Sequence, residues 1–152
     1  MARSEIRRAT PADANNISAC IDAAYQPVLA RGIKLPAVSE GVSDDVRQNL
    51  VWVIETEAGI VAGLIAAKTK DGLHIANLFV DPAAQGQGHA VALMQQAERV
   101  AGRLSSRQMH LATHRDMPEN VAFYTRLGWQ VVARDQDKIM MSKIATASNE
   151  VG

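Results

Sequence analysis

The chain has 152 residues, enough for one domain that buries roughly 70% of the surface its unfolded form exposes. Lys plus Arg equals Asp plus Glu at 16 each, so no net field draws it toward nucleic acid or an anionic membrane, and neither is expected as a partner. Cys20 is the only cysteine, which excludes an internal disulfide, and no stretch approaches the ~20 apolar residues of a membrane span; an untargeted, cytoplasmic chain is expected.

In chain order, Ile6 to Thr10 reads as a short strand. Thr10-Pro11-Ala12-Asp13 then supplies a capping hydroxyl, a proline at the first helical position and an acid in the first turn. The helix it opens keeps Ala14, Ile17, Cys20, Ile21, Ala24 and Tyr25 on one face until Pro27 and Gly32 disturb it. Lys34 to Val46, with Pro36 and Gly41, has no clean period and is expected to form a loop with a second short helix. Val51 to Glu57 and Ile60 to Lys68 are strands of a hairpin turning at Ala58-Gly59. Asp71-Gly72 turns the chain into a third strand, Leu73 to Val80, which stops at Asp81-Pro82.

Gly86 to Arg103 then shows a helix with one apolar stripe (Ala90, Leu93, Met94, Ala97, Val100, Ala101, Leu104). Met109 to Thr113 reads as a strand, Pro118 to Leu127 as a helix closed by Gly128, and Trp129 to Arg134 with Lys138 to Ile144 as a final strand pair. Met140 and Met141 fall on opposite faces of the last strand, so at most one is covered by the sheet. The other is available to a second copy, and a homodimer is an expectation on that ground.

The element that carries chemistry is the junction after Val80. Gln85-Gly86-Gln87-Gly88-His89-Ala90 places two glycines at the start of a helix, where unpaired N–H groups and the positive dipole end favour phosphate. A dinucleotide fingerprint would need a third small residue where Val91 stands and an acid about 20 residues on, where Ser106 stands; a P-loop would need Gly-Lys-Ser/Thr. Neither pattern is met, and on this feature alone a tight strand-to-helix turn without a ligand stays open.

Leu78-Phe79-Val80-Asp81-Pro82 followed by Gln85-x-x-Gly88-x-Ala90 resembles the coenzyme A signature of the GNAT N-acetyltransferase superfamily. Asn120, Ala122, Phe123, Tyr124, Leu127, Gly128 and Trp129 resemble that family's second motif, with tighter spacing between asparagine and alanine here. The element order agrees from Ile6 to Lys143. The resemblance implies an α/β GNAT fold: a mixed, mostly antiparallel central sheet, splayed between strands 4 and 5 and flanked by helices. It implies one domain over residues 1–152, with 145–152 expected as a disordered tail.

It also implies that acetyl-CoA is the co-substrate, without a metal. The backbone of Leu78, Phe79 and Val80 would pair with the pantetheine arm or polarise its thioester, and N–H groups of Gln85, Gly86, Gln87, Gly88, His89, Ala90 and Val91 would cradle the pyrophosphate. Asn120 would approach the pantetheine from the other side, and Tyr124 would donate a proton to the departing thiolate. Asn120 and Tyr124 share a helical face by their spacing.

His74, 11 residues before Gln85, stands where some members carry a general-base glutamate, and an imidazole can do that work at neutral pH. Other members place the glutamate where Ala76 stands, or use a water chain, so a strand histidine without catalytic duty is the competing reading. His110 and His114 have the spacing of a helical metal pair but fall on a strand and its exit, where that spacing does not aim them together. His89 is expected either to hydrogen-bond or to be solvated. Trp52, Tyr25 and Phe123 are candidates for the acceptor wall or for the core.

The expected reaction is direct acetyl transfer to an amine acceptor in a ternary complex, with the Leu78 N–H as oxyanion donor, His74 or water as base and Tyr124 as acid. Cys20, the only thiol nucleophile, has no histidine near it in sequence. The alternative is a non-catalytic acyl-CoA-binding or interaction domain on the same fold.

Overall fold

Strand β1 (Glu5–Arg8) leads into a single 3-10 turn (Pro11–Asp13) and helix α1 (Ala14–Ala30) in the computed structural model, which describes residues 5–35 and 39–147. Thr10 is the N-cap residue of the turn and forms a capping box with Asp13. The Asp13 carboxylate accepts from the Thr10 N–H at 2.7 Å and hydroxyl at 3.2 Å, and Arg7 grips its two oxygens at 2.8 and 3.0 Å. This bidentate fork, with Arg7 Nε also donating to Glu55 at 3.2 Å, ties β1, the helix start and the second strand together.

Helix α1 does not stop at Pro27. The proline sits in the last turn, where it removes one ladder donor, and the chain closes beyond it through Arg31 N–H to Val28 at 3.1 Å and Gly32 N–H to Leu29 at 3.0 Å. The second helix, α2 (Val42–Gln48), buries Val42 and Val46 and starts after Gly41 at φ 83°.

The remaining elements are β2 (Leu50–Thr56), β3 (Gly59–Thr69), β4 (Gly72–Val80), α3 (His89–Ala101), β5 (Gln108–His114), α4 (Pro118–Arg126), β6 (Gln130–Asp135) and β7 (Lys138–Ile144). The seven strands run in the order β1-β2-β3-β4-β5-β7-β6. β1 with β2, β2 with β3, β5 with β7 and β6 with β7 are antiparallel, while β4 with β5 is parallel. Among the described residues the β4–β5 ladder is confined to Leu73↔Met109 and His74↔His110, at the start of both strands, so β4 leaves the ladder before Leu78.

The chain divides into two compact units, Met1–Ala66 with Asn77–Gln95, and Ala67–Ala76 with Gln96–Gly152. In the first, Ile17, Cys20 and Ile21 of α1 pack with Val42 and Val46 of α2, Val51 and Val53 of β2, Ile65 of β3 and Phe79 of β4. In the second, Leu111 of β5 stands opposite Met141 of β7, both buried, and Met140 is half-buried on the other face. At the C-terminal end the Ala145 N–H donates to the Arg107 carbonyl at 2.7 Å; residues 148–152 of the expected tail lie outside the described residues. Among the described residues no helix is long and apolar enough to cross a membrane.

Arg7 holds the Asp13 carboxyl down to about 2, although partial burial acts the other way. A depressed carboxylate stabilises the fold above its unfolded pKa and loses that contribution as pH falls toward the folded value. Asp13→Asn should therefore cost about 1–2 kcal/mol at pH 7, discounted for the partial exposure of Arg7. Denaturant unfolding of both proteins between pH 7 and pH 2 should show their stabilities converging below about pH 4.

Candidate functional site

The side chains at the end of β4 divide between two faces. Phe79 is 2% exposed, and a β-carbon on Gly63 would overlap its ring, so the ring is core and only the backbone of Phe79 is available to a ligand. Strand alternation turns Leu78 and Val80, both half-buried, the other way. On the Phe79 face, Asn77 accepts a hydrogen bond from the Tyr25 hydroxyl of α1 at 2.7 Å. Nothing in the sequence singles out this pair, because its members are 52 residues apart.

Beyond Val80 the chain is held by Asp81, whose N–H donates to the Val61 carbonyl at 2.8 Å and whose carboxylate accepts from the Ala83 N–H at 2.9 Å. A 3-10 turn (Pro82–Ala84) follows, with Ala84 buried, and then the exposed stretch Gln85 to Gly88. Gly86 and Gly88 take φ of 79° and 82°, left-handed backbone that cannot belong to the helix, which is why α3 begins at His89 and not at Gly86. No atom lies within 4 Å of where a β-carbon on either glycine would sit, so the loop is open on that side.

The first bond of the α3 ladder runs from Ala92 N–H to the Gly88 carbonyl at 3.1 Å, leaving the N–H groups of His89, Ala90 and Val91 ahead of it at the positive end of the helix. His89 is not solvated: it is 7% exposed, with Nε2 3.2 Å from Gln87 Oε1, so it braces the loop from within. No lysine or arginine lies between Gln85 and Val91, so the segment itself offers an anion backbone dipoles and no fixed positive charge.

Cys20 is 5% exposed on α1, and burial, followed by the charge of Asp81, pushes its thiol up to about 11. Trp52 is buried in β2, with the Arg8 guanidinium 5.8 Å from its ring centroid, and is core.

The second unit carries His74, Asn120 and Tyr124. His74 is half-buried on β4 opposite His110; burial, then the His110 charge, lowers its pKa below the ordinary 6.5. Asn120 donates from Nδ2 to Thr113 Oγ1 of β5 at 3.2 Å. Tyr124 is 8% exposed, its ring edge-on to half-buried Phe123 at 5.3 Å and tilted against Trp129 at 5.9 Å. Its carbonyl accepts from the N–H groups of Leu127 and Trp129, both at 3.0 Å, which closes α4.

His110 and His114 face different partners. His110 Nε2 lies 3.4 Å from the Asp71 carbonyl, whereas His114 accepts the Asp116 N–H at Nδ1 at 3.0 Å and places Nε2 3.5 Å from Asp137. Among the described residues no group of three or more His, Cys, Asp or Glu side chains could hold a metal ion.

Over residues 47–131, more than half of the chain, the sequence matches the family described as acetyltransferase (GNAT) domain. The fold is similar to that of the PaiA N-acetyltransferase from Thermoplasma acidophilum in complex with coenzyme A, with 15% identity and a TM-score of 0.84 over 93% of this chain and 99% of that one. It is also similar to a GNAT-family acetyltransferase from Listeria monocytogenes (17% identity, TM-score 0.76, 92% and 94% covered). A third likeness is to the ribosomal-protein-S18-alanine N-acetyltransferase from Escherichia coli (16%, 0.73, 99% and 99%).

The glycine loop supplies a direct test. Aspartate and asparagine tolerate left-handed backbone better than other side chains, so Gly88→Asp and Gly88→Asn should both fold, and they differ by one charge. Calorimetry should show acetyl-CoA bound at least about tenfold more weakly by the aspartate variant than by the asparagine one. Equal affinities would place the pyrophosphate elsewhere.

Proposed function

This chain belongs to the acetyltransferase (GNAT) domain family, and on that premise we propose that it transfers the acetyl group of acetyl-CoA directly to an amine of a small molecule, peptide or protein. The observation that carries the reading is the open loop with two left-handed glycines at the head of α3. It presents successive backbone N–H groups, without a fixed cation, where strand β4 delivers the chain.

In this reading the backbone of Phe79 and Val80 pairs with the pantetheine arm, residues Gln85 to Val91 hold the pyrophosphate, and Asn120 borders the arm. The neutral amine attacks the thioester carbonyl, whose oxygen is stabilised by the Leu78 N–H, a role typically worth about 3 kcal/mol. The C–N bond forms, the C–S bond breaks, and one ammonium proton leaves through His74 or water. An acyl-enzyme on Cys20 is disfavoured, since a buried thiol raised to about 11 is scarcely ionised at neutral pH.

Tyr124 serves the leaving thiolate. An ordinary phenol near pKa 10 is a weaker acid than an ordinary thiol near 8.5, so complete transfer to a free thiolate is uphill by about 1.5 units. The hydroxyl therefore acts chiefly by hydrogen-bonding sulfur while the C–S bond breaks, an interaction with a charged group of roughly 1.5–3 kcal/mol. Release of coenzyme A thiol from acetyl-CoA with a panel of amines tests the reading. Coenzyme binding without turnover across a wide panel would favour the non-catalytic alternative.

Two variants test the assigned roles. Tyr124→Phe keeps the ring between Phe123 and Trp129, so acetyl-CoA affinity and melting should change little while single-turnover transfer slows about 10- to 100-fold. A normal rate would make the hydroxyl structural.

His74 acts as a base only when neutral, and its lowered pKa puts the acidic limb of the rate profile below 6.5. His74→Ala should abolish that limb and slow turnover by about 10² or more. An unchanged profile would assign the proton to water.

A further inference from the structure

The cluster that joins α1, α2, β2, β3 and β4 is built from apolar side chains among the described residues, and at its edge α1 meets β4 through a polar pair. There the Tyr25 hydroxyl donates to Asn77 Oδ1 at 2.7 Å, at the usual length for an O–H···O bond, while the Tyr25 ring packs against the cluster that contains Ile17, Ile21 and Phe79. Asn77 and Phe79 flank Leu78 and share one face of the strand. Phe79 is fixed by packing over Gly63 and Asn77 by a hydrogen bond, so both neighbours of Leu78 are anchored, one by an apolar contact and one by a polar contact.

Packing α1 on β4 does not by itself call for a polar pair, since burying a hydroxyl and an amide costs desolvation that an apolar pair would avoid. What the hydrogen bond adds is direction. A ring in a core can slide by tenths of an ångström, whereas a 2.7 Å bond sets the place of the Asn77 side chain and restrains the peptide that joins it to Leu78. Burial pushes the Tyr25 phenol up to about 12, which keeps it a neutral donor across the working pH range and unsuited to act as a base.

We infer that the Tyr25–Asn77 hydrogen bond positions the Leu78 N–H for the acetyl thioester carbonyl, so that both are positioning residues of the transfer reaction. The inference rests on the acetyl-transfer reading above and gives α1 a part in the chemistry beyond covering the sheet. A donor displaced by a fraction of an ångström stabilises the oxyanion less, yet it leaves the distant pyrophosphate contacts of the coenzyme intact.

The test is a double-mutant cycle with Tyr25→Phe, Asn77→Ala and the double variant, using acetyl-CoA and whichever primary amine of the panel turns over. Single-turnover transfer, acetyl-CoA affinity by calorimetry and melting are read for each. Tyr25→Phe is expected to slow transfer about 5- to 50-fold with affinity within about twofold of wild type, and the double variant to be no slower than the slower single one.

A variant that melts earlier but transfers at the wild-type rate well below its melting temperature overturns the inference, as do effects that multiply in the double variant. Wild-type protein that binds acetyl-CoA but transfers to no amine overturns the transfer reading and this inference together. Normal wild-type transfer with normal Tyr25→Phe transfer removes this inference alone.

Discussion

The ring of Phe79 fills the space over Gly63, and the strand segment proposed to pair with the coenzyme is therefore anchored in the core. The Phe79 side chain closes a cluster built from α1, α2, β2 and β3, while its main chain continues through Val80, Asp81 and a 3-10 turn into the exposed stretch from Gln85 to Gly88. Core side chains at native packing density resist displacement, so a backbone hung on one is rigid without hydrogen bonds to a further strand. Asp81 continues the restraint by bonding back to Val61 and capping the 3-10 turn.

In the proposed site the glycine loop of the first unit offers an anion main-chain dipoles and no cation of its own. With formal charges balanced over the whole protein and no cation between Gln85 and Val91, long-range attraction contributes little. Two left-handed glycines leave the loop open on one side, the helix adds roughly half a positive charge at its start, and His89 braces the turn through Gln87. A site of this kind recognises a phosphate by geometry and loses less to salt than a lysine cluster does, because few exposed charges are screened.

The second unit secures the closure of α4 with a half-buried charge pair. Lys143 of β7 donates to Glu98 of α3 and to the Leu127 carbonyl, both at 2.7 Å, three residues beyond Tyr124. Burial alone would raise the Glu98 carboxyl, but Lys143 and the Thr146 N–H hold it below the ordinary range. The pair thus joins β7, the second half of α3 and the end of the helix that carries Tyr124, while Trp129 packs at a tilt against the same tyrosine.

Local rules made the strand, glycine loop and helix after Leu73 legible in the sequence, since only glycine takes left-handed backbone freely and a three-and-four apolar spacing has one helical reading. The hairpins at Ala58-Gly59 and Asp71-Gly72, the final strand pair and the helix with Asn120 and Tyr124 were legible for the same reason. Helix limits were less so: the α3 start moved to His89 because Gly86 and Gly88 are outside helical backbone, and α1 passed through Pro27 because a last-turn proline removes only one bond. Tertiary structure alone decided that β7 lies between β5 and β6, that His89 is buried, and that Tyr25 meets Asn77 and Lys143 meets Glu98. These are contacts between residues 52 and 45 positions apart, or burial set by such contacts, and no periodicity within one element encodes which distant element will cover it.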